Sequence, residues 1–310
     1  MKHYKYIESD LEEAILEWFE EDLGYSVAFG PDIAFDGEHP ERQSYKDVVL
    51  VDRLRSAVAQ INSTIPKDAQ EEAIKKAVNV AYSSPNLLTA NQAFHKMLTE
   101  GIDVEYARED STIAGDKVYL FDTKNLNNND WLAVNQFTVV ENNHNRRPDV
   151  MIFVNGLPIA IFELKNPADA NATLKSAFNQ IQTYKAEISS LFAYNEICVL
   201  ADHVKSAVVG TISADMDRFV GWKSIDGKKI VKTNDLEILI KGVFAKERLL
   251  DIVKNFIVFE SEKDSKNNVS KTIKKLSAYH QYFAVNKAVE KTAEASSANG
   301  DRRTETRYRS

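Results

Sequence analysis

The chain has 310 residues, 44% of them apolar and 27% charged, with a formal charge of -7. It is long for one ordinary domain and short for three, and its composition excludes collagen-like, mucin-like and prion-like classes. The acid excess excludes a surface that is basic all over, yet it permits a local nucleic-acid cleft, because only charge near a phosphate steers it.

A first helix is predicted from the caps Ser9 and Asp10, with Leu11, Ala14, Ile15, Trp18, Phe19 and Leu23 at helical spacing and Gly24 at its end. Residues 25–28 follow as a short strand, and residues 30–45, rich in Gly, Pro, Asp and His, read as loop. Residues 46–100 read as a helical insertion, with segments beginning at Val48, Ala69 and Leu87. Strands then begin. Residues 117–122 are predicted as one strand, 125–130 as a polar turn, and 131–140 as a single alternating strand.

Residues 149–154 form an apolar strand, Asn155-Gly156 is a strong hairpin turn signal, and residues 157–165 return. A break at Asn166-Pro167-Ala168-Asp169 precedes a helix over 173–188, whose buried stripe is Leu174, Ala177, Phe178, Ile181 and Tyr184. Strands are expected over 196–201, 207–212 and 220–223. Beyond Asn234, helices are expected over 236–244, 247–256, 269–279 and 282–293, with 260–268 a polar linker and 295–310 a poorly ordered end. This order predicts an α/β fold: a mixed central sheet flanked by helices, with a helical insertion and a helical C-terminal tail.

The chemistry concentrates around the hairpin. Asp149 and Glu163 lie near its open ends, and Glu163 and Lys165 share strand parity and so one face. Two carboxylates can hold Mg²⁺, a cation that prefers oxygen ligands and keeps several waters, with the Leu164 carbonyl as a third donor. Lys165 can then orient a water or meet developing negative charge, which is what phosphodiester hydrolysis requires. A salt bridge at a sheet edge is the competing reading. Against it, the charges interrupt strands written for burial, where unpaired charge is costly.

Gln180 and Tyr184 share a face of the next helix, although Tyr184 equally suits its buried stripe. Glu12 suits the first-turn dipole of the N-terminal helix, or a water-mediated place near the cation. Arg146, Arg147, Lys175 and Lys185 are candidate DNA-backbone contacts, each also readable as a solvated charge. Cys198 is the only cysteine and reads as a core thiol; the six His lack zinc-helix spacing. No apolar run spans a membrane and no signal peptide is visible at the N-terminus, so a cytoplasmic location is expected.

Taken together, Glu12, Pro148-Asp149, Glu163-x-Lys165 and Gln180-x-x-x-Tyr184 resemble the PD-(D/E)xK nuclease superfamily, in its branch with a Q-x-x-x-Y motif. More narrowly, several segments are similar to the N-terminal nuclease region of the restriction (motor-nuclease) subunit of type I restriction-modification enzymes. These are Glu8-Ser9-Asp10-Leu11-Glu12, Arg147-Pro148-Asp149-Val150, Asn155-Gly156-Leu157-Pro158, Phe162-Glu163-Leu164-Lys165-Asn166-Pro167 and the stretch from Phe178 to Tyr184.

The resemblance implies a restriction-endonuclease-like core over residues 1–234, with Mg²⁺ on Asp149 and Glu163 and hydrolysis assisted by Lys165. It implies that Gln180 and Tyr184 support the site, that double-stranded DNA is cut, and that methyltransferase and specificity subunits are partners. That family's subunit also carries an ATP-driven helicase motor, and the segment from Tyr279 to Val285 resembles the lead into it. No G-x-x-x-x-G-K-[ST] loop occurs in the chain, so ATP is implied only for a longer subunit and residues 235–310 read as a linker toward an absent motor. Two other functions stay open: a non-catalytic docking module, or another superfamily member such as a junction-resolving or repair enzyme.

Overall fold

The computed structural model describes residues 8–108, 110–165, 173–203, 206–231, 234–263 and 270–296. The predicted break at residues 166–169 and nearly all of the tail from 295 onward lie outside them. Helix α1 (Glu8–Glu17) buries Leu11 and Ile15, widens into a π-helical turn at Trp18–Asp22, and ends at Gly24 with φ 66°. Strand β1 (Ser26–Phe29) leads, through a long loop, to the helical insertion α2 (Val51–Ile61), α3 (Lys67–Val78) and α4 (Leu87–Glu100). A separate two-stranded sheet follows, β2 (Ile102–Ala107) against β3 (Ile113–Val118). The expected strand at 117–122 therefore sits earlier, and its partner β2, where buried Ile102 and Val104 alternate with exposed Asp103 and Glu105, went unpredicted.

Residues 131–140 are not one strand. β4 (Trp131–Asn135) stops at Gln136, whose φ of 57° is left-handed, and β5 (Val139–Glu141) turns back through Asn142 and Asn143 into β6 (His144–Arg146). Strand β7 (Val150–Val154) then pairs with β8 (Leu157–Leu164) across the Asn155-Gly156 turn. Both turn residues have positive φ, 54° and 74°, as a two-residue hairpin turn requires. A Cβ on Gly156 would lie 2.2 Å from the Leu50 carbonyl, so space as well as φ demands glycine there.

Helices α5 (Leu174–Glu187) and α6 (Ser189–Phe192) connect to β9 (Ile197–His203) and β10 (Ser206–Gly210). Thr173 caps α5 through a reciprocal bond pair with Ser176. The central sheet has the order β1-β4-β7-β8-β9-β10, with β1–β4 and β8–β9 parallel and the other pairs antiparallel, as the expected mixed sheet. β7 and β8 are buried at every residue, which explains why β7, and β8 as far as Phe162, are written in apolar residues. Phe162 meets Phe19 with ring centres 5.9 Å apart and Phe244 at 5.2 Å; its neighbour Glu163 points to the other face, beneath α5.

The C-terminal part holds α7 (Asp235–Val243), α8 (Lys246–Asn255) and α9 (Tyr279–Ser296) as expected, but residues 270–276, within the helix expected over 269–279, are not helical. They form β12 (Ser270–Leu276), paired with β11 (Ile257–Lys263), which takes in residues 260–263 of the predicted polar linker. Ile273 and Leu276 imitate helical spacing, but pairing with β11 and a buried role for Lys274 override it. Lys274 is 1% exposed, its ammonium 2.7 Å from Glu196, 2.9 Å from the Asn91 side chain and 2.9 Å from the Asn195 carbonyl. His95 bonds the same Glu196 oxygen at 2.9 Å. Burial pushes the Glu196 carboxyl up, and Lys274 and His95 outweigh it, leaving Glu196 below its ordinary value. The residue at 220 makes only an isolated bridge to Val209, in place of the predicted strand.

Candidate active site

Register assembles the site. The Asn-Gly turn pairs Val154 with Leu157 and Phe153 with Pro158, which, continued unchanged, would set Asp149 opposite Phe162. Instead the register shifts between Ile152 and Phe153, so that Ile152 faces Ala160 and Val150 faces Phe162. Ile159 is the extra residue of a β-bulge, and it is held from outside by the Glu196 N–H on its carbonyl at 2.7 Å. The next pair outward is therefore Asp149 with Glu163, their side chains on one face. The hairpin alone would have misaligned them by one residue.

Both acids are buried, Asp149 at 7% and Glu163 at 2% exposure. The Leu164 N–H donates to Asp149 Oδ2 at 2.6 Å. In extended backbone a residue's N–H and C=O face the same neighbouring strand, so the Leu164 carbonyl lies on the Asp149 edge. Lys165, half-buried, holds its ammonium 2.5 Å from Glu163 Oε1. The Tyr184 hydroxyl lies within hydrogen-bonding reach of both Gln180 and Glu163. Burial first, and then the charge of Glu163, raise the Tyr184 phenol well above its ordinary value, so it stays protonated and donates toward Glu163 while Gln180 donates to it. Tyr184 is thus both a buried stripe residue, at 4% exposure, and part of this cluster.

Glu12 is buried at 6% and accepts from Asn135 Nδ2 at 3.2 Å and Gln136 Nε2 at 2.7 Å. Asn135 pairs with Val150, which pairs with Phe162, so Asn135 shares the face opposite Glu163. Glu12 connects to the acid pair through Gln136, whose N–H donates to the Asp149 carbonyl at 3.0 Å. Sequence reading missed Gln136 and Asn135, since inside an alternating strand pattern neither carries a signal. Among the described residues no group of three or more His, Cys, Asp or Glu side chains converges on a metal position. The donor set at this corner is two carboxylates and a backbone carbonyl. All are hard oxygen donors at one sheet end, which fits Mg²⁺ in the mode where water completes the shell.

Of the predicted backbone-binding cations, Arg146 is paired with Glu187, whose other carboxylate oxygen lies 3.4 Å from His144 Nδ1. Lys185 donates to Gln182 at 2.8 Å and its charge reaches Cys198, so it leans along its own helix. Arg147 and Lys175 are exposed. Cys198 is fully buried, its thiol pushed up to about 12 by burial. Trp131 and Trp222 are buried packing residues, Trp131 edge-on to Tyr25 and Trp222 among Tyr279, Tyr282 and Phe283. No described helix is long and apolar enough to cross a membrane.

A family model described as type I restriction enzyme R protein N terminus matches residues 5–215. The chain is 38% identical over 301 residues to the type I restriction enzyme HindI endonuclease subunit of Haemophilus influenzae, a match covering 96% of this chain and 28% of that protein. It is 31% identical over 291 residues to the putative type I restriction enzyme MjaIXP endonuclease subunit of Methanocaldococcus jannaschii, covering 87% of this chain and 26% of that protein. A further relative, the EcoprrI endonuclease subunit of Escherichia coli, is 33% identical over 152 residues. The chain thus spans about a quarter of the length of the first two relatives. With the matched region containing both site strands and the helix above them, the chain belongs to the family of type I restriction enzyme R protein N-terminal regions.

Proposed function

We propose that this chain is a Mg²⁺-dependent endonuclease region that cleaves double-stranded DNA, acting as part of a type I restriction subunit alongside methyltransferase and specificity subunits. The single observation that carries the reading is the convergence of Asp149, Glu163, Lys165, Tyr184 and Gln180 at one end of β7 and β8. Asp149, Glu163 and the Leu164 carbonyl would hold the cation. Bound there, Mg²⁺ supplies charge relief to a phosphodiester and lowers the pKa of a water. Lys165, one residue beyond the buried strand and partly open to solvent, offers an ammonium to the negative charge that builds on a phosphate. Tyr184 and Gln180 fix the Glu163 carboxylate from above, which limits its rotamers and prepares the site.

Nicking and linearisation of supercoiled plasmid in Mg²⁺, compared between the unmodified chain and the Glu163→Ala and Lys165→Ala variants, test the proposal. Cleavage that disappears in both variants while their circular dichroism is retained supports it. Equal cleavage by all three proteins refutes it.

A further inference from the structure

Just ahead of Asp149, the short β5–β6 hairpin presents four consecutive exposed polar residues, Asn142, Asn143, His144 and Asn145. Asn142 and Asn143 have φ of 49° and 65°, the turn geometry that a tight two-residue hairpin needs. The ribbon is fixed from three directions. Val139 is fully buried, and the Val140 N–H donates to the Tyr45 carbonyl at 2.9 Å. Glu141 accepts from Ser189 Oγ at 3.0 Å and from Ser190 N and Oγ at 2.9 and 2.7 Å. Arg146 is paired with Glu187, one turn beyond Tyr184 on α5, and its charge reaches Tyr184.

All these anchors use strand residues of the hairpin, Val139 to Glu141 and Arg146, and leave the Asn142–Asn143 turn exposed. No side-chain hydrogen bond of Asn142, Asn143 or Asn145 to another described residue is present, although the ribbon beneath them is rigidly held. Its one acid, Glu141, is consumed on α6, and Arg147 follows, exposed. In a chain of charge -7, this is a protrusion without acidic groups on display, and Arg146, at the end of the ribbon nearer Asp149, lies close enough to feel Tyr184, which itself reaches Glu163. Amide side chains both donate and accept, so they suit the mixed edges of a nucleic-acid groove. A two-stranded ribbon is also narrow enough for a major groove about 12 Å wide. A rigid ribbon loses little ordering entropy on binding.

We infer that the Asn142–Asn143 hairpin enters a groove of the duplex and sets its position over Asp149 and Glu163, with neutral amide contacts rather than phosphate neutralisation carrying its share of the affinity. The inference rests on the nuclease reading and names the element that seats its substrate. Neutral contacts predict a distinctive salt behaviour. Removing them weakens binding at every salt concentration without changing the slope of log affinity against log salt, whereas removing a phosphate contact lowers that slope by about one.

The test uses duplex binding by fluorescence anisotropy in metal-free buffer, across a salt series, for three proteins: the unmodified chain, the double variant Asn142→Gly with Asn143→Gly, and Arg147→Ala. Glycine keeps the positive-φ turn, so the hairpin persists while its amides go. The expected result is about tenfold weaker binding by the glycine variant with an unchanged salt slope, and a shallower slope for Arg147→Ala. A second measurement exploits the buried Cys198, whose raised thiol pKa leaves an introduced surface cysteine as the reactive one. A photo-crosslinker on Asn145→Cys should label duplex DNA, and the same group on Ile113→Cys, 75% exposed on the separate β2–β3 sheet, should not. If the unmodified chain binds and cuts DNA and the glycine variant binds equally well, the hairpin inference falls and the nuclease reading stands. Equal crosslinking from both positions also overturns it. If the unmodified chain neither binds nor cuts, both fall together.

Discussion

Asp149 stands level with Glu163 because β8 contains one residue more than β7 between their shared turn and the site. That extra residue, Ile159, converts a parity mismatch into a same-face pair of buried acids. The Leu164 N–H then ties Asp149 to the second strand at 2.6 Å, so the acid has a structural duty as well as its proposed chemical one.

The two duties separate by substitution. Asp149→Asn keeps an acceptor for the Leu164 N–H and removes the charge, so cleavage should fall at least a hundredfold with little change in melting temperature. Asp149→Ala also leaves that buried N–H unpaired, adding about 1–3 kcal/mol of destabilisation. Urea denaturation of the two variants, read beside plasmid cleavage, checks the split. Equal stability of both would mean that the Leu164 bond contributes nothing.

Tyr184→Phe retains the ring that α5 buries and deletes the hydroxyl that reaches Glu163 and Gln180. Cleavage should drop roughly tenfold, with stability changed by about 1 kcal/mol, the scale of one hydrogen bond. Because the folded phenol titrates above its unfolded value, its contribution to stability is complete below about pH 10 and declines as pH rises further. The phenylalanine variant should therefore lose stability less steeply than the parent in alkaline denaturation series.

The Lys274–Glu196 pair joins β12 to the start of β9, next to the Ile159 bulge. Lys274→Met removes one partner of a fully buried ion pair and should cost about 3–5 kcal/mol, because the Glu196 charge stays behind. Lys274→Met combined with Glu196→Gln should recover much of that loss. Since Glu196 titrates below its ordinary value when folded, its stabilisation is present above the unfolded carboxylate pKa and fades as pH falls through the folded one. Denaturant midpoints for single and double variants between neutral and acid pH measure both effects.

Cys198 gives an alkaline prediction of opposite chemistry to Glu196. Its thiol rises from 9.0 to about 12 through burial, so between those values the unfolded chain releases a proton that the folded chain keeps. Stability should fall with rising pH across that window, and Cys198→Ala should flatten this part of the decline. A thiol reagent should react with the native protein only at its opening rate, and fast modification at neutral pH would contradict the buried placement.

The local patterns fixed what local patterns can encode. The Asn155-Gly156 turn, the apolar strands around it, the α5 stripe and the acids and lysine at the strand ends are all short-range features, governed by φ preference and by side-chain period. Those features were enough to predict a mixed sheet and to select Asp149, Glu163 and Lys165 as candidates, whereas Gln180 and Tyr184 joined them through the family resemblance. The tertiary structure decided the rest through contacts between residues distant in the chain. The bulge at Ile159 has no mark in an unbroken apolar run, because every residue of β8 is buried whichever way it faces. Gln136 leaves β4 in a left-handed conformation because its N–H and side chain are claimed by Asp149 and Glu12. Residues 270–276 pair as a strand, against their helix-like spacing, where β11 supplies backbone partners and Lys274 reaches a carboxylate beyond the range of any periodicity. A period describes one element at a time, whereas register and buried charge are settled only when two elements meet.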